Sequence, residues 1–95
     1  MTTCYINGKY KPLNQSFISV TDRGFQFSDG VYEVIAVFKN EFVDFQLHIN
    51  RLFVSLRKMN IKINLNKDEV ARITKKIKKI NQLKMGIIYI QITRG

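Results

Sequence analysis

The side chains that do covalent or metal chemistry are scarce in this sequence, which holds one cysteine, Cys4, and one histidine, His48. A disulfide within the chain is excluded, and a Cys/His zinc cage needs more ligands than one of each, so no metal site is expected. His48 has no nucleophile beside it and reads as a structural, hydrogen-bonding histidine. Residues 22–30, DRGFQFSDG, pack two Asp and two Gly into nine positions around Phe25 and Phe27. That density is turn chemistry, with carboxylates bonding nearby backbone and glycines taking positive φ, and it predicts an ordered loop around two buried aromatics. In VYEVIAVF, Tyr32 and Val34 are two apart and share a strand face. Glu33 must then point to the other face, where pairing with a basic group of the domain is expected. Arg51, by residue type alone, is a surface arginine like Arg57 and Lys58.

These residues need elements to position them. Asn7-Gly8 sits between two short Tyr, Ile and Lys-rich segments, and the pair suits a tight primed turn, so residues 4–11 read as a hairpin that Pro12 ends. Residues 13–20 read as a loop leading to an extended stretch around Phe17 to Val20. Residues 31–38 are β-branched and aromatic, with Val31, Glu33, Ile35 and Val37 on one face and Tyr32, Val34, Ala36 and Phe38 on the other; both faces are largely apolar, as in a central strand. A turn at Lys39 to Glu41 leads to Phe42 and Val43. Phe45, Ile49, Leu52, Phe53, Leu56 and Met59 then recur at helical spacing from about Asp44 to Met59. Asn66 with Glu69 three residues on predicts a capping box, and Val70, Ile73, Ile77 and Ile80 form the apolar stripe of a second helix flanked by lysines. Gly86 opens a last strand with Ile88, Ile90 and Ile92 on one face and Ile87, Tyr89, Gln91 and Thr93 on the other. The fold class expected is α+β, a mostly antiparallel sheet with two helices packed on one face, forming a single small domain over residues 1–95.

Composition bounds what such a domain can be. With 95 residues and 45% hydrophobic content there is room for one modest core and none for a second domain. The longest apolar run, Val34 to Phe38, is far short of the roughly 18 residues a membrane span requires, and MTTCYINGKY has no signal-peptide core. A cytoplasmic protein with no membrane partner is expected. The net charge of +9 is concentrated in residues 49–95, which carry twelve basic and two acidic groups. A basic half can serve nucleic acid, but no RNA-recognition or helix-turn-helix pattern accompanies it, and the lysines sit where a solvated helix face predicts them. No nucleic-acid partner is expected.

Three blocks, DRGFQFSDGVYEV at 22–34, HINRL at 48–52 and IYIQITRG at 88–95, resemble in order and spacing the N-terminal small domain of the class IV aminotransferases, the fold-type IV pyridoxal-phosphate enzymes. The D-amino-acid branch of that family fits most nearly, and the resemblance spans essentially the whole chain. It implies pyridoxal 5'-phosphate as cofactor. Arg51 matches the arginine that binds its phosphate, a role suited to a planar guanidinium that gives two parallel charge-assisted bonds. Tyr32 matches a tyrosine that helps hold the substrate carboxylate, and Val34 and Tyr89 match residues lining the substrate pocket. The activity implied is ping-pong transamination between a D-amino acid and a 2-oxo acid.

In the family, the Schiff-base lysine, the carboxylate that partners the pyridine nitrogen, and the arginine and histidine of the carboxylate trap all lie downstream of the matched segment. No catalytic residue is therefore assigned within this chain, which is expected to be a truncated, inactive fragment alone. A complementing C-terminal half, and a homodimer when complete, are the partners implied. Two rivals within the superfamily are a branched-chain L-amino-acid aminotransferase and an aminodeoxychorismate lyase. A rival of another class is a non-catalytic remnant or interaction domain, whose uncovered apolar surface would promote oligomerisation.

Overall fold

The computed structural model describes residues 1–95. Strands β1 (Thr3–Ile6) and β2 (Lys9–Pro12) form an antiparallel hairpin in which Thr3 faces Pro12 and Tyr5 faces Tyr10. Its turn is the expected one, because Asn7 and Gly8 both take positive φ, 48° and 88°. A single 3-10 turn follows at Leu13–Gln15. Phe17 to Val20, expected to be extended, forms no strand: the strands that flank the sheet come from elsewhere in the chain, so this stretch has nothing to pair with.

The Asp/Gly-rich segment departs from expectation by forming a short helix, α1 (Arg23–Phe27). Asp22 caps it by accepting from the Gly24 N–H at 2.8 Å, and Ser28, at φ 55°, closes it in the left-handed region. The positive φ thus falls on serine. Gly24 and Gly30 are needed for close approach instead, since a Cβ on Gly24 would overlap the Thr93 side chain and one on Gly30 would press the Ile92 carbonyl. Phe25 and Phe27 are exposed, a correction to their buried look: a five-residue helix has too little surface to bury two aromatics on the domain.

Strand β3 (Gly30–Phe38) is the central strand of a three-stranded antiparallel sheet, between the two-residue β4 (Glu41–Phe42) and β5 (Gly86–Thr93). Lys39 and Asn40, both at positive φ, make the β3–β4 turn. Helix α2 (Phe45–Lys58) lies on one face of β3, and Ile35, Ile49 and Leu52 are completely buried where they meet. Val31, Leu56, Ile61 and Val70 complete that core. Helix α3 (Lys67–Ile80) starts at the predicted capping box, with the Glu69 N–H on Asn66 Oδ1 at 2.8 Å and the Asn66 N–H on Glu69 Oε1 at 3.1 Å. Its buried side is Val70 and Thr74, with Ile73 and Ile77 partly covered; Ile80 lies outside it.

The class is α+β, with every strand pair antiparallel. The hairpin stands apart as its own two-stranded sheet and docks on α3. Asn81 makes that joint by accepting from the Thr3 N–H at 2.8 Å and donating to the Thr3 carbonyl at 2.9 Å, as a neighbouring strand would. No helix is long and apolar enough to cross a membrane.

Candidate functional site

Strand β3 divides the site. Its odd-numbered residues, Val31, Glu33, Ile35 and Val37, are buried toward the helices, while Tyr32, Val34, Ala36 and Phe38 line the opposite, open face. The antiparallel register with β5 puts Tyr89 directly across from Val34 and diagonal to Tyr32. That diagonal is within reach of aromatic side chains, and the Tyr32 and Tyr89 rings stack at 5.7 Å between centroids and 11° between planes. Tyr89 donates its hydroxyl to Gln91 Oε1 at 3.1 Å. Tyr32, Val34 and Tyr89 therefore form one flat, largely apolar wall.

Arg51 is on the other side of the strand. It projects from α2, and its Nε and Nη2 donate to Glu33 Oε2 at 2.9 Å and Oε1 at 2.8 Å. His48, one helical turn earlier, places Nδ1 2.7 Å from Glu33 Oε1. An ionised carboxylate only accepts, so Nδ1 carries the proton and donates to it. The basic partner that strand parity assigned to Glu33 is thus Arg51, with His48 as a second donor. The Glu33 side chain is 5% exposed, whereas that of Arg51 is 59% exposed. Bonds from the Arg51 guanidinium hold the Glu33 carboxyl below the ordinary glutamate value of 4.5, against burial and with help from His48. Glu33 in turn raises Arg51 further above its ordinary value.

Of the five Arg51 N–H groups, the pair on Nη1 bonds nothing in the chain. This is a charged, exposed, oriented donor pair suited to an anion. Arg51 and the tyrosine wall are not in contact: they flank β3 from opposite faces, with Glu33 and Tyr32 adjacent in sequence as the link between them.

A second ionic cluster went unread in the sequence. Asp29 Oδ2 accepts from Arg94 Nε at 2.8 Å and from Arg23 Nε at 3.3 Å. Arg94 also donates to the carbonyls of Met59 and Asn60, which end α2. Asp22 Oδ2 accepts from the Thr93 hydroxyl at 2.9 Å. Arg94 thereby ties α1, β3, β5 and α2 together, and its partners are too far away in sequence to leave a local signal. The bond from Arg94 is the main reason Asp29 titrates below its ordinary 3.8. This cluster is architecture: its bonds tie the Asp/Gly-rich segment to the end of β5 and the end of α2.

Comparison with known proteins adds to this geometry. A family model described as amino-transferase class IV matches residues 30–95. The D-alanine aminotransferase of Listeria monocytogenes serotype 1/2a (strain 10403S) is 33% identical over 90 residues, 95% of this chain and 31% of that protein. Its counterpart in Staphylococcus aureus (strain MSSA476) is 32% identical over 95 residues, all of this chain and 34% of that protein. The chain therefore spans about a third of the length of these relatives. Among solved structures, the T.th. branched-chain amino acid aminotransferase with pyridoxamine 5'-phosphate superposes with a TM-score of 0.91 at 17% identity, covering 97% of this chain and 32% of that one. The Escherichia coli branched-chain amino acid aminotransferase gives 0.88 at 18%, covering 94% and 31%. At such identities the structures speak to the fold.

Proposed function

This chain belongs to the class IV aminotransferase family, and on that premise we propose that it is the N-terminal small domain, residues 1–95, of a pyridoxal-phosphate-dependent D-amino-acid transaminase. The complete protein moves an amino group between a D-amino acid and a 2-oxo acid. The observation that carries this reading is the identity of about a third with D-alanine aminotransferases over nearly the whole chain.

The donor set fits the cofactor's phosphate. Arg51 offers an exposed guanidinium end whose Nη1 N–H groups bond nothing in the chain, charge-assisted donors for phosphate oxygens. Pyridoxal 5'-phosphate, when bound, supplies an electron sink for the bond broken at the substrate's α-carbon. This chain's part is to bind and orient. Arg51 holds the phosphate; the Tyr32–Tyr89 stack with Val34 walls the substrate pocket and excludes water, and the Tyr32 hydroxyl meets the substrate carboxylate. Family resemblance assigns the proton transfer to a lysine of the large domain, outside these residues. The complete enzyme is a cytoplasmic homodimer in this reading, and the unpaired Cys4 suits a reducing compartment.

A second reading, a branched-chain L-amino-acid aminotransferase, draws on the fold likeness at TM-scores of 0.88 to 0.91. One assay separates the two. The 95-residue chain is co-expressed, in separate trials, with the remaining two thirds of the S. aureus relative and with that of the Escherichia coli branched-chain enzyme, loaded with cofactor, and offered D-alanine or L-leucine with a 2-oxo acid; the carboxylate trap comes with the supplied part, so the readout is which part restores turnover. Turnover with the S. aureus part only, absent from either half alone, is the expected result. Turnover with the E. coli part only supports the second reading, and no turnover from either soluble, cofactor-loaded pair favours a non-catalytic remnant.

A further inference from the structure

We propose that Glu33, steadied by His48, is the positioning residue of the anion site: it grips the Nε/Nη2 edge of Arg51 and so aims the Nη1 pair outward at a phosphate. This rests on the reading that Arg51 anchors the cofactor's phosphate, and it assigns work to two residues to which family resemblance gave none.

A long side chain more than half in solvent samples many rotamers, and an anion that binds it must first collect them into one. Here the collecting is already done. Three contacts of 2.8 to 3.2 Å fix the guanidinium plane against a carboxylate that is itself buried. That carboxylate sits on the central strand, between Val31 and Ile35 of the core, and cannot swing away. His48 Nδ1–H takes a further lone pair at 2.7 Å, so the carboxylate is held from two donors on one helix. Fork-to-fork pairing uses one edge of the guanidinium and leaves the rest for a second anion.

The ion pair also carries a cost that makes the idea testable. Glu33 cancels the charge of Arg51, so a site working by net charge alone would bind phosphate more tightly without it. A site working by orientation binds more weakly without it. The two accounts predict opposite signs for one substitution.

The experiment follows backbone and Arg Nε–H NMR signals of the 95-residue chain during titration with pyridoxamine 5'-phosphate, whose lack of an aldehyde spares the lysines, and with pyridoxamine as the phosphate-free control. Wild type is expected to bind the phosphorylated probe in preference, and Arg51→Ala to abolish that preference. Glu33→Gln, checked as folded, is expected to weaken the phosphorylated probe about tenfold, leave pyridoxamine unchanged and shift the Arg51 Nε–H signal toward that of a free arginine. If Glu33→Gln does not fold, His48→Ala takes its place, since it keeps the ion pair and loses one brace; about threefold weakening is expected. Unchanged or tighter binding in the folded variant, with Arg51→Ala still abolishing it, overturns the positioning role and leaves the phosphate reading intact. A wild type that does not discriminate the two probes, or an Arg51→Ala that binds normally, overturns the phosphate reading and this inference with it.

Discussion

A single buried carboxylate, Glu33, couples the stability of this domain to pH, and the sign follows from the direction of its shift. Its folded-state pKa lies below the ordinary 4.5, first because Arg51 donates to it. A group depressed on folding contributes stability that is fully present above its unfolded value and is lost as pH falls through the folded one. Arg51 stays charged throughout, so it adds no slope in that window. Thermal stability is therefore expected to fall below about pH 4.5. Glu33→Gln should flatten part of that acid limb and lower stability at pH 7 by about 1 to 3 kcal/mol, the usual cost of losing charge-assisted bonds. Asp29, also depressed, keeps the remainder of the limb in the variant. Melting curves from pH 3 to 7 on both proteins check this; parallel curves would show that Glu33 adds nothing to the pH dependence. A neighbouring residue on the same strand face sets the scale of packing: Ile35 is 0% exposed, and Ile35→Ala should cost about 2 to 5 kcal/mol in chemical denaturation.

Among the elements, α3 depends most on local sequence. Both bonds of its capping box form, Asp68 and Glu69 lie in its first turn and Lys78 and Lys79 in its last, matching the helix dipole at each end. Asn66→Ala should cost about 1 kcal/mol and fray the first turn, visible as faster amide exchange at Glu69; unchanged exchange there would count against the cap. Helix α2 is the opposite case. Asp44 precedes it in left-handed conformation, φ 54°, and caps nothing with its side chain, so α2 stands on Ile49, Leu52 and Leu56 packed against β3. This contrast explains what could be read in advance. Spacing of apolar residues located α2, a four-residue box located α3, Asn7-Gly8 located the hairpin, and strand parity put Glu33 on the face away from Tyr32 and Val34. Each of those signals is local. Helix α1 was not legible because Thr93 and Arg94, far along the chain, hold its segment in place. The same distance hid the identity of Glu33's partner, which parity could describe only as some basic group, and hid the docking of the hairpin through Asn81.

At the scale of the whole molecule two features pull against each other. The face of β3 and β5 turned from the helices carries Tyr32, Phe38, Ile87 and Tyr89 in solvent, and Phe25 and Phe27 are exposed on α1, whose capping Asp22 bonds Thr93 at the end of that face. A contiguous apolar face of this kind favours self-association by burial of area. The net charge of +9 opposes it, because copies brought together repel. Salt screens the repulsion within about 8 to 10 Å at physiological strength and leaves apolar burial in place. Association is therefore expected to rise with salt, the reverse of what charge pairing between copies would give. Sedimentation velocity at 0.05 M and 0.5 M salt over a concentration series measures it. Ile87→Lys places a charge on the open face, across from Ala36, at a position already exposed, so it should change stability by no more than about 0.5 kcal/mol while restoring the monomer. If the protein sediments as a monomer at high salt, or if Ile87→Lys leaves association unchanged, this face is not what joins the copies. If the variant dissociates while its melting temperature holds, the open face is a surface built for contact, and the tyrosine wall lies within it.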